Sequence, residues 1–512
     1  MPAQGLVNKV MELLMSKRMR QIESFMLNPV ETQENVLFEN LSAARNTEYG
    51  KLYGFDEIND YDTFRSHIPL VTYEEFEPYI EKARKGTPDV SWYGKIKWFA
   101  KSSGTTNAKS KFIPISDESL ENGHYAAGKM LFALYLNNHP DTEIFTNKNL
   151  RLGGSSEIYE KYETLFGDLS AILIDNLPFY AELRNTPNKQ ISLMSEWETK
   201  MKAIADAVIK EDIGCLTGVP SWMLVLLNYV REVTGKNYID EIWPGLEVFF
   251  HGGISFKPYE ENYRKLTQKR LNFYEIYNAS EGFFGIQDQK HSKDLLLLLD
   301  NGIFYEFIPM DRFGTSNAQA VPLQEVEVGK NYAMVITTNG GLWRYIIGDT
   351  VKFTSKNPYR IVVSGRTKHY INAFGEELII ENAEEGLKRA CSATGAIVKE
   401  FTAAPVFMEG NEKGAHEWLI EFERIPENME EFSAVLDKSL QELNSDYEAK
   451  RYKNITLNPL KLNVARNNLF FEWMKERGKL GGQNKVPRLA NNREYLDELL
   501  KRNSDIFKTT KP

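Results

Sequence analysis

The chain has 512 residues, of which 42% are hydrophobic and 26% charged, and a formal net charge of −9. That length calls for two or more domains, and the average composition excludes fibrous and disordered classes. The acidic balance argues against a general nucleic-acid binder, whose phosphate contacts need a basic surface. Cys215 and Cys391 are the only cysteines, which excludes a zinc ribbon or disulfide scaffold and suits a reducing cytoplasm.

Residues 1–25 interrupt their apolar positions with Lys9, Lys17, Arg18, Arg20 and Glu23, which predicts an amphipathic helix and not a secretory signal. The longest apolar runs, Trp222–Val230 and Leu295–Leu299, are too short to span a bilayer, so no membrane partner is expected. Residues 1–90 read as helices and loops, with Thr72 as N-cap of a helix starting at Tyr73. Lys97–Ala100 is a short strand that leads into Ser102-Ser103-Gly104-Thr105-Thr106, and a helix from Asp117 to Leu136 follows. This loop has what a polyphosphate needs: a glycine that admits the backbone, hydroxyl and amide donors, and Lys109 and Lys111 as cations. It is not a Walker A loop, because Ala108 stands where the second glycine belongs. An ordinary Ser/Gly/Thr surface turn has the same composition.

The strand Leu246–Phe250 ends in His251-Gly252-Gly253, bare backbone that suits a flat adenine or, equally, a turn beside a buried, satisfied histidine. Ser280-Glu281 follows the strand Phe273–Tyr277, so Glu281 falls just past a strand end, where α/β folds place ligands and a carboxylate can hold Mg²⁺. The alternative is a helix N-terminus capped by Ser280 with Glu281 favouring the dipole. Leu295–Phe307 reads as a hairpin folded at Asp300-Asn301-Gly302. Tyr332–Thr338 and Trp343–Phe353 form a second strand pair, which makes the middle of the chain a mixed sheet. Gly348-Asp349 either presents a carboxylate to a ribose diol or is a turn between strands.

A strand from Tyr359 ends at Gly365-Arg366, and a helix is expected from Glu377. Glu417–Glu423 alternates as a half-buried strand between helical segments at Glu384–Ala390 and Met429–Leu443, which predicts a small α/β C-terminal domain. Within residues 481–488 a glycine-rich loop carries Lys485, a point charge able to swing onto a phosphate, or a solvated basic loop. His416-Glu417 does not continue as a zinc-protease helix, since Ile420 stands where the second histidine belongs. Neither a G-x-S-x-G elbow nor a G-x-G-x-x-G fingerprint is present.

Taken in order, four stretches resemble the acyl-acid amido synthetases of the auxin-responsive Gretchen Hagen family, members of the adenylating superfamily that holds acyl-CoA synthetases and luciferase. They are KSSGTTNAKSKFIP (101–114), Ile242-Trp243-Pro244 ahead of His251-Gly252-Gly253, YNASEGFFG (277–285), and the run from Phe304-Tyr305-Glu306-Phe307 to VITTNGGLWRYIIGD (335–349). The resemblance implies an α/β fold: a large multi-layer N-terminal domain with mixed sheets and a β-rich part over residues 1–365, and a small mobile α/β C-terminal domain over 366–512. It implies ATP and Mg²⁺ as cofactors. Ser102, Ser103, Gly104, Thr105 and Thr106 then line the phosphates, Gly252, Gly253, Tyr277 and Ser280 border the nucleotide, and Asp349 takes the ribose. Glu281 faces Mg²⁺, Arg366 lies near the nucleotide, Lys368 is the hinge, and Glu281, Arg366 and Lys485 form the catalytic set.

This sequence departs from the family pattern at Ala279 (usually Ser), Trp343 (Tyr), Ile346 (Arg) and Asn484 (aromatic). The implied reaction is adenylation of a small carboxylic acid followed by acyl transfer to an amine of the amino-acid class. Alternatives are coenzyme A as acceptor, or a nucleotide-binding protein without chemistry. Tyr125, Met130 and Leu134, with Val219–Met223, are pocket candidates whose helical spacing fits a core equally well.

Overall fold

The computed structural model describes residues 3–102, 111–153, 158–194, 196–257, 259–315, 318–367, 370–408, 412–454, 456–477 and 487–509. Its largest sheet has 12 strands. The spatial order is Val321–Pro322, Ile303–Pro309, Asn331–Thr338, Tyr345–Lys356, Tyr359–Arg366, Leu295–Leu297, Gly282–Gln287, Asn272–Ala279, Val248–Gly252, Ile213–Gly218, Lys148–Leu152 and Asn185–Thr186. From Asn272–Ala279 to Asn185–Thr186 neighbouring strands are parallel, and in the other half they are antiparallel. The fold is therefore the mixed α/β type expected.

Both faces of the parallel half are covered, as crossover helices require. Leu150, Leu216 and Phe249 point into one apolar cluster and Cys215, Val248 and Phe250 into the other, the period-two alternation of a strand. The helix Pro220–Thr234 carries the chain between Ile213–Gly218 and Val248–Gly252. Proline at its first turn fits φ without losing a needed N–H, and Gly235, at φ 67°, closes it in the left-handed region. Tyr73–Arg84 starts where expected: the Thr72 amide donates to Glu75 Oε2 at 2.7 Å in a capping box.

Beyond residue 366 a three-stranded sheet, Ile397–Val406, Ala415–Arg424 and Lys461–Ala465, lies between two helical layers. Ile380–Thr394 and Met429–Leu443 cover one face, and Leu469–Glu476 and Glu494–Thr509 the other. One apolar cluster joins Leu216 and Phe249 to Phe374, Trp418 and Leu436. Tyr259 Oη donates to the Ala373 carbonyl at 2.5 Å and Ser221 Oγ to that of Phe374 at 3.1 Å. The C-terminal part is thus packed against the segments that cover the large sheet.

Three local expectations are corrected. Asn301-Gly302 does turn the chain, with Gly302 at φ 82°, but the strands on either side do not form a hairpin. Leu295–Leu297 pairs with Gly282–Gln287 and Tyr359–Arg366, whereas Ile303–Pro309 pairs with Asn331–Thr338. Gln33, from the helix Pro29–Ala44, bridges the two sides: Nε2 donates to the carbonyls of Leu299 and Ile303, both at 2.9 Å, and Oε1 accepts from the Tyr305 amide. The helix expected from Asp117 begins with a π-helical turn, Ser119–Tyr125, before the α-helix Ala126–Asn138. The helix expected from Glu377 starts at Ile380, because Glu377 sits at φ 41°, outside helical space.

Candidate active site

A cavity of about 1290 Å³ runs along the carboxyl ends of the parallel strands, at the junction with the antiparallel half. Ligands settle at such an edge, because strand ends leave unpaired backbone groups and a crevice between loops. Ser102, Gly252, Gly253, Tyr277, Ser280, Glu281, Asp349 and Arg366 all line it. Segments far apart in sequence are therefore brought to one place. Ser103, Gly104, Thr105, Thr106, Lys368 and Lys485 lie outside the described residues.

Asp349 is the centre of the constellation. Gly348, at φ 95°, lies in a bulge of the Tyr345–Lys356 strand, where the register against Asn331–Thr338 breaks between Ile346 and Thr350. Gly348-Asp349 is thus neither a loop nor a turn between strands. Asp349 stands opposite Arg366 on the next strand, and Arg366 Nε donates to Oδ1 at 2.9 Å. Tyr277 Oη donates to Oδ2 at 2.7 Å, although three strands separate the two in the sheet order. The sheet must curl to close that gap. Burial and the Asp349 charge push the Tyr277 phenol well above its usual range, so it remains a proton donor. Arg366 Nη2 continues to Glu377 Oε1 at 3.1 Å, which ties the site to the C-terminal part.

Ser280-Glu281 forms the tight turn between Asn272–Ala279 and Gly282–Gln287, so no helix begins there. Glu281 is half-buried, and burial raises its pKa; Lys111 opposes that shift and Asp349 reinforces it. No ion pair holds it among the described residues, while both Asp349 oxygens are engaged. Nor do the described residues contain three clustered His, Cys, Asp or Glu side chains able to hold a metal by themselves. This donor set fits Mg²⁺ arriving with phosphates, which takes one or two carboxylates and completes its shell with phosphate and water oxygens.

Gly252 is required by packing: a Cβ there would lie 2.5 Å from the Ile276 carbonyl oxygen. Gly253, at φ 83°, turns the chain into the cavity, and Asn372 Nδ2 donates to its carbonyl at 3.1 Å. His251 is buried with its ring centroid 4.0 Å from that of Phe256, and burial pushes its pKa down to about 3, leaving it neutral. His251 is buried as that alternative expects but is not satisfied, since among the described residues its Nδ1 has no hydrogen-bond partner.

Part of the run that carries the resemblance is scaffold. Arg344 and Glu306 form a buried two-point ion pair at 2.9 and 2.8 Å, and Trp343 Nε1 donates to the Ser91 carbonyl at 2.9 Å. Ile346 packs on Ile308, Ala333 and Val335, away from the cavity that Ile347 lines, so the departure at that position does not touch the site. Of the pocket candidates, Tyr125 and Val219 reach the cavity, whereas Met130, Leu134 and Met223 are core and Trp222 lies 4.2 Å under Lys450 Nζ. Sequence reasoning missed Glu377, Glu275 and Arg151. Glu275 was recoverable, since it lies two residues before Tyr277 on the same strand; nothing local distinguishes Arg151.

A mixed sheet with its carboxylates, tyrosine and arginine gathered at the parallel strand ends places the molecule among adenylating-type α/β folds. The same fold is seen in a GH3.15 acyl acid amido synthetase (TM-score 0.60, 19% identity, covering 95% of this chain and 96% of that one) and in a 2-hydroxyisobutyryl-CoA ligase (TM-score 0.56, 14% identity, 93% and 92%). Residues 18–272, 296–366 and 381–494 match the N-terminal, central and C-terminal domains of the GH3 family, and the chain belongs to that family. Relatives include indole-3-acetic acid-amido synthetase GH3.3 of Arabidopsis thaliana, 25% identical over 93% of this chain and 92% of that protein. Jasmonoyl–L-amino acid synthetase JAR6 of Nicotiana attenuata is 25% identical over 92% and 93%.

Proposed function

We propose that the protein is an ATP-dependent acyl-acid amido synthetase. The observation that carries this reading is the Tyr277–Asp349–Arg366 constellation beside Glu281, in a cavity of about 1290 Å³ in a GH3-family chain. A carboxylate oxygen of a small acid attacks the α-phosphorus of ATP, and pyrophosphate leaves. The nitrogen of an amino acid then attacks the acyl carbonyl, AMP departs with the bonding pair, and the amine proton passes to solvent. Asp349, oriented by Tyr277 and Arg366, receives the ribose hydroxyls. Gly252 and Gly253 bring bare backbone against the base, and Ser102 leads into the phosphate loop of Ser103, Gly104, Thr105 and Thr106.

Glu281 would hold Mg²⁺, which supplies charge neutralisation to the phosphates. Lys485 adds a cation in the adenylating half-reaction, and Lys368 is the hinge between residues 1–365 and 366–512; both roles rest on the family resemblance. Catalysis is positioning and electrostatics, since phosphoryl chemistry asks little else of a protein. ATP supply and the free thiols Cys215 and Cys391 suit a cytoplasmic setting, and no described helix is long and apolar enough to cross a membrane.

Pyrophosphate release across a panel of carboxylic acids, with ATP and Mg²⁺ and with amino acids or coenzyme A added, tests the proposal. Acid-dependent release that amino acids stimulate is the expected result. Stimulation by coenzyme A instead would reassign the acceptor to a thiol. ATP binding without release for any acid would leave a nucleotide-binding protein without chemistry.

A further inference from the structure

Beyond the nucleotide constellation the cavity continues over the sheet face that carries Asn149, Arg151 and Thr217, with Phe132, Phe145 and Leu173 also lining it. The polar groups of this floor are unequal. Thr217 Oγ1 donates to Asn149 Oδ1 at 2.9 Å, and Asn149 Nδ2 donates to Asn185 Oδ1 at 2.8 Å, so these side chains satisfy one another. Arg151 is different. Its side chain is 14% exposed, and among the described residues Nε is buried without a hydrogen-bond partner and the ion-pair partner is Glu182 at 3.3 Å. Glu182 is shared, because its other oxygen accepts from the Lys189 amide at 2.8 Å. Arg18, Arg231 and Arg466 also have a buried Nε of this kind, but of the four Arg151 alone lines the cavity, where an idle donor can serve a ligand.

Position gives that use. The strand bearing Arg151, Lys148–Leu152, lies three strand spacings from Asn272–Ala279, roughly 14 Å at about 4.8 Å per step. Arg151 and Glu281 thus line the cavity from different strands, and an acid lying along the floor between them can meet both. We infer that Arg151 recognises a second oxygen acceptor at the distal end of the acid, so that the substrate class is an elongated bifunctional acid, with a second carboxylate as the best fit to the guanidinium fork. The inference rests on the adenylating reading. A monofunctional acid of the same length leaves the guanidinium with Glu182 alone and its Nε idle, and sites built to hydrogen-bond a substrate group reject analogues that lack it.

The test pairs hexanoate with adipate and octanoate with suberate, reading pyrophosphate release with ATP and Mg²⁺ in wild type, Arg151→Met and Arg151→Lys. Wild type is expected to favour the diacid in kcat/KM by at least about 100-fold, Arg151→Met to lose the preference, and Arg151→Lys to keep part of it. Equal or better use of the monoacids by wild type, or an equal loss on all four acids in Arg151→Met, overturns the inference. Should Arg151→Met not fold, Glu182→Gln serves: releasing the guanidinium should preserve or sharpen the diacid preference, and abolishing it overturns the inference. Calorimetric titration of suberate into wild type and Arg151→Met with α,β-methylene-ATP present separates recognition from turnover. Suberate binding that depends on Arg151, with no pyrophosphate from any acid, would sink the adenylating reading and support the recognition; suberate that does not bind wild type overturns the recognition itself.

Discussion

Two arginine–carboxylate pairs, Arg344–Glu306 and Arg366–Asp349, lie within the same antiparallel half of the sheet and serve opposite ends. In the first, Arg344 Nε and Nη2 meet both Glu306 oxygens while Nη1 donates to the carbonyls of Arg65 and Ile68 at 2.9 and 2.7 Å. Its side chains are 6% and 1% exposed. In the second they are 27% and 11% exposed, and Arg366 divides itself between Asp349 and Glu377 at the cavity wall. The first pair is sealed in the core and braces the fold; the second faces the cavity, and the proposed function gives its carboxylate to the ribose.

This contrast breaks most sharply under Arg344→Met. Removing one partner of a sealed ion pair leaves a buried charge and costs about 3–5 kcal/mol, so the variant should melt well below wild type. The double variant Arg344→Met/Glu306→Leu should recover part of the loss. Thermal melts of the three proteins check this, and a single variant as stable as the double would refute the scaffold role.

Next come Asp349→Ala and Glu281→Gln, each expected to lower kcat/KM for adenylation by about 100-fold or more with melting less affected than in Arg344→Met. Pyrophosphate exchange reads the effect, and near-wild-type exchange in both would remove these residues from the site.

The smallest effect is a pH dependence at Glu275, which lines the same cavity and whose carboxyl burial pushes up to about 7 from 4.5. The unfolded chain gives up this proton first as pH rises, so wild-type stability falls between about pH 4.5 and 7. Glu275→Gln carries no such proton. It should melt higher than wild type at pH 8.5, by at most about 3 kcal/mol, less for water reaching the carboxyl from the cavity, with the gap closing at pH 5. A gap that is constant across that range would assign the change to packing.

Much of the site was legible before the structure, because its chemistry is local in sequence. Tyr277 through Glu281 read as a strand end, Gly365-Arg366 as another, and Gly252-Gly253 as bare backbone, and each of these lines the cavity. Residues 103–106, Lys368 and Lys485 fall outside the described residues, so their parts stay with the proposal. The hairpin at Asn301-Gly302 misled for a physical reason: turn chemistry fixes where the chain reverses and not which strands pair. Gln33, distant in sequence, took the backbone groups that a hairpin would have used.

By itself the sequence determined the alternating strands, the capped helices, the glycine positions and the order of the motifs, since these follow from local sterics, capping and periodicity. Only the tertiary structure decided that Tyr277 meets Asp349 across three intervening strands, that Arg344 is a brace while Arg366 faces the cavity, and that Arg151 is left with an idle donor. Those outcomes depend on sheet curvature and on what else is buried nearby, and neither is written in the residues adjacent in the chain.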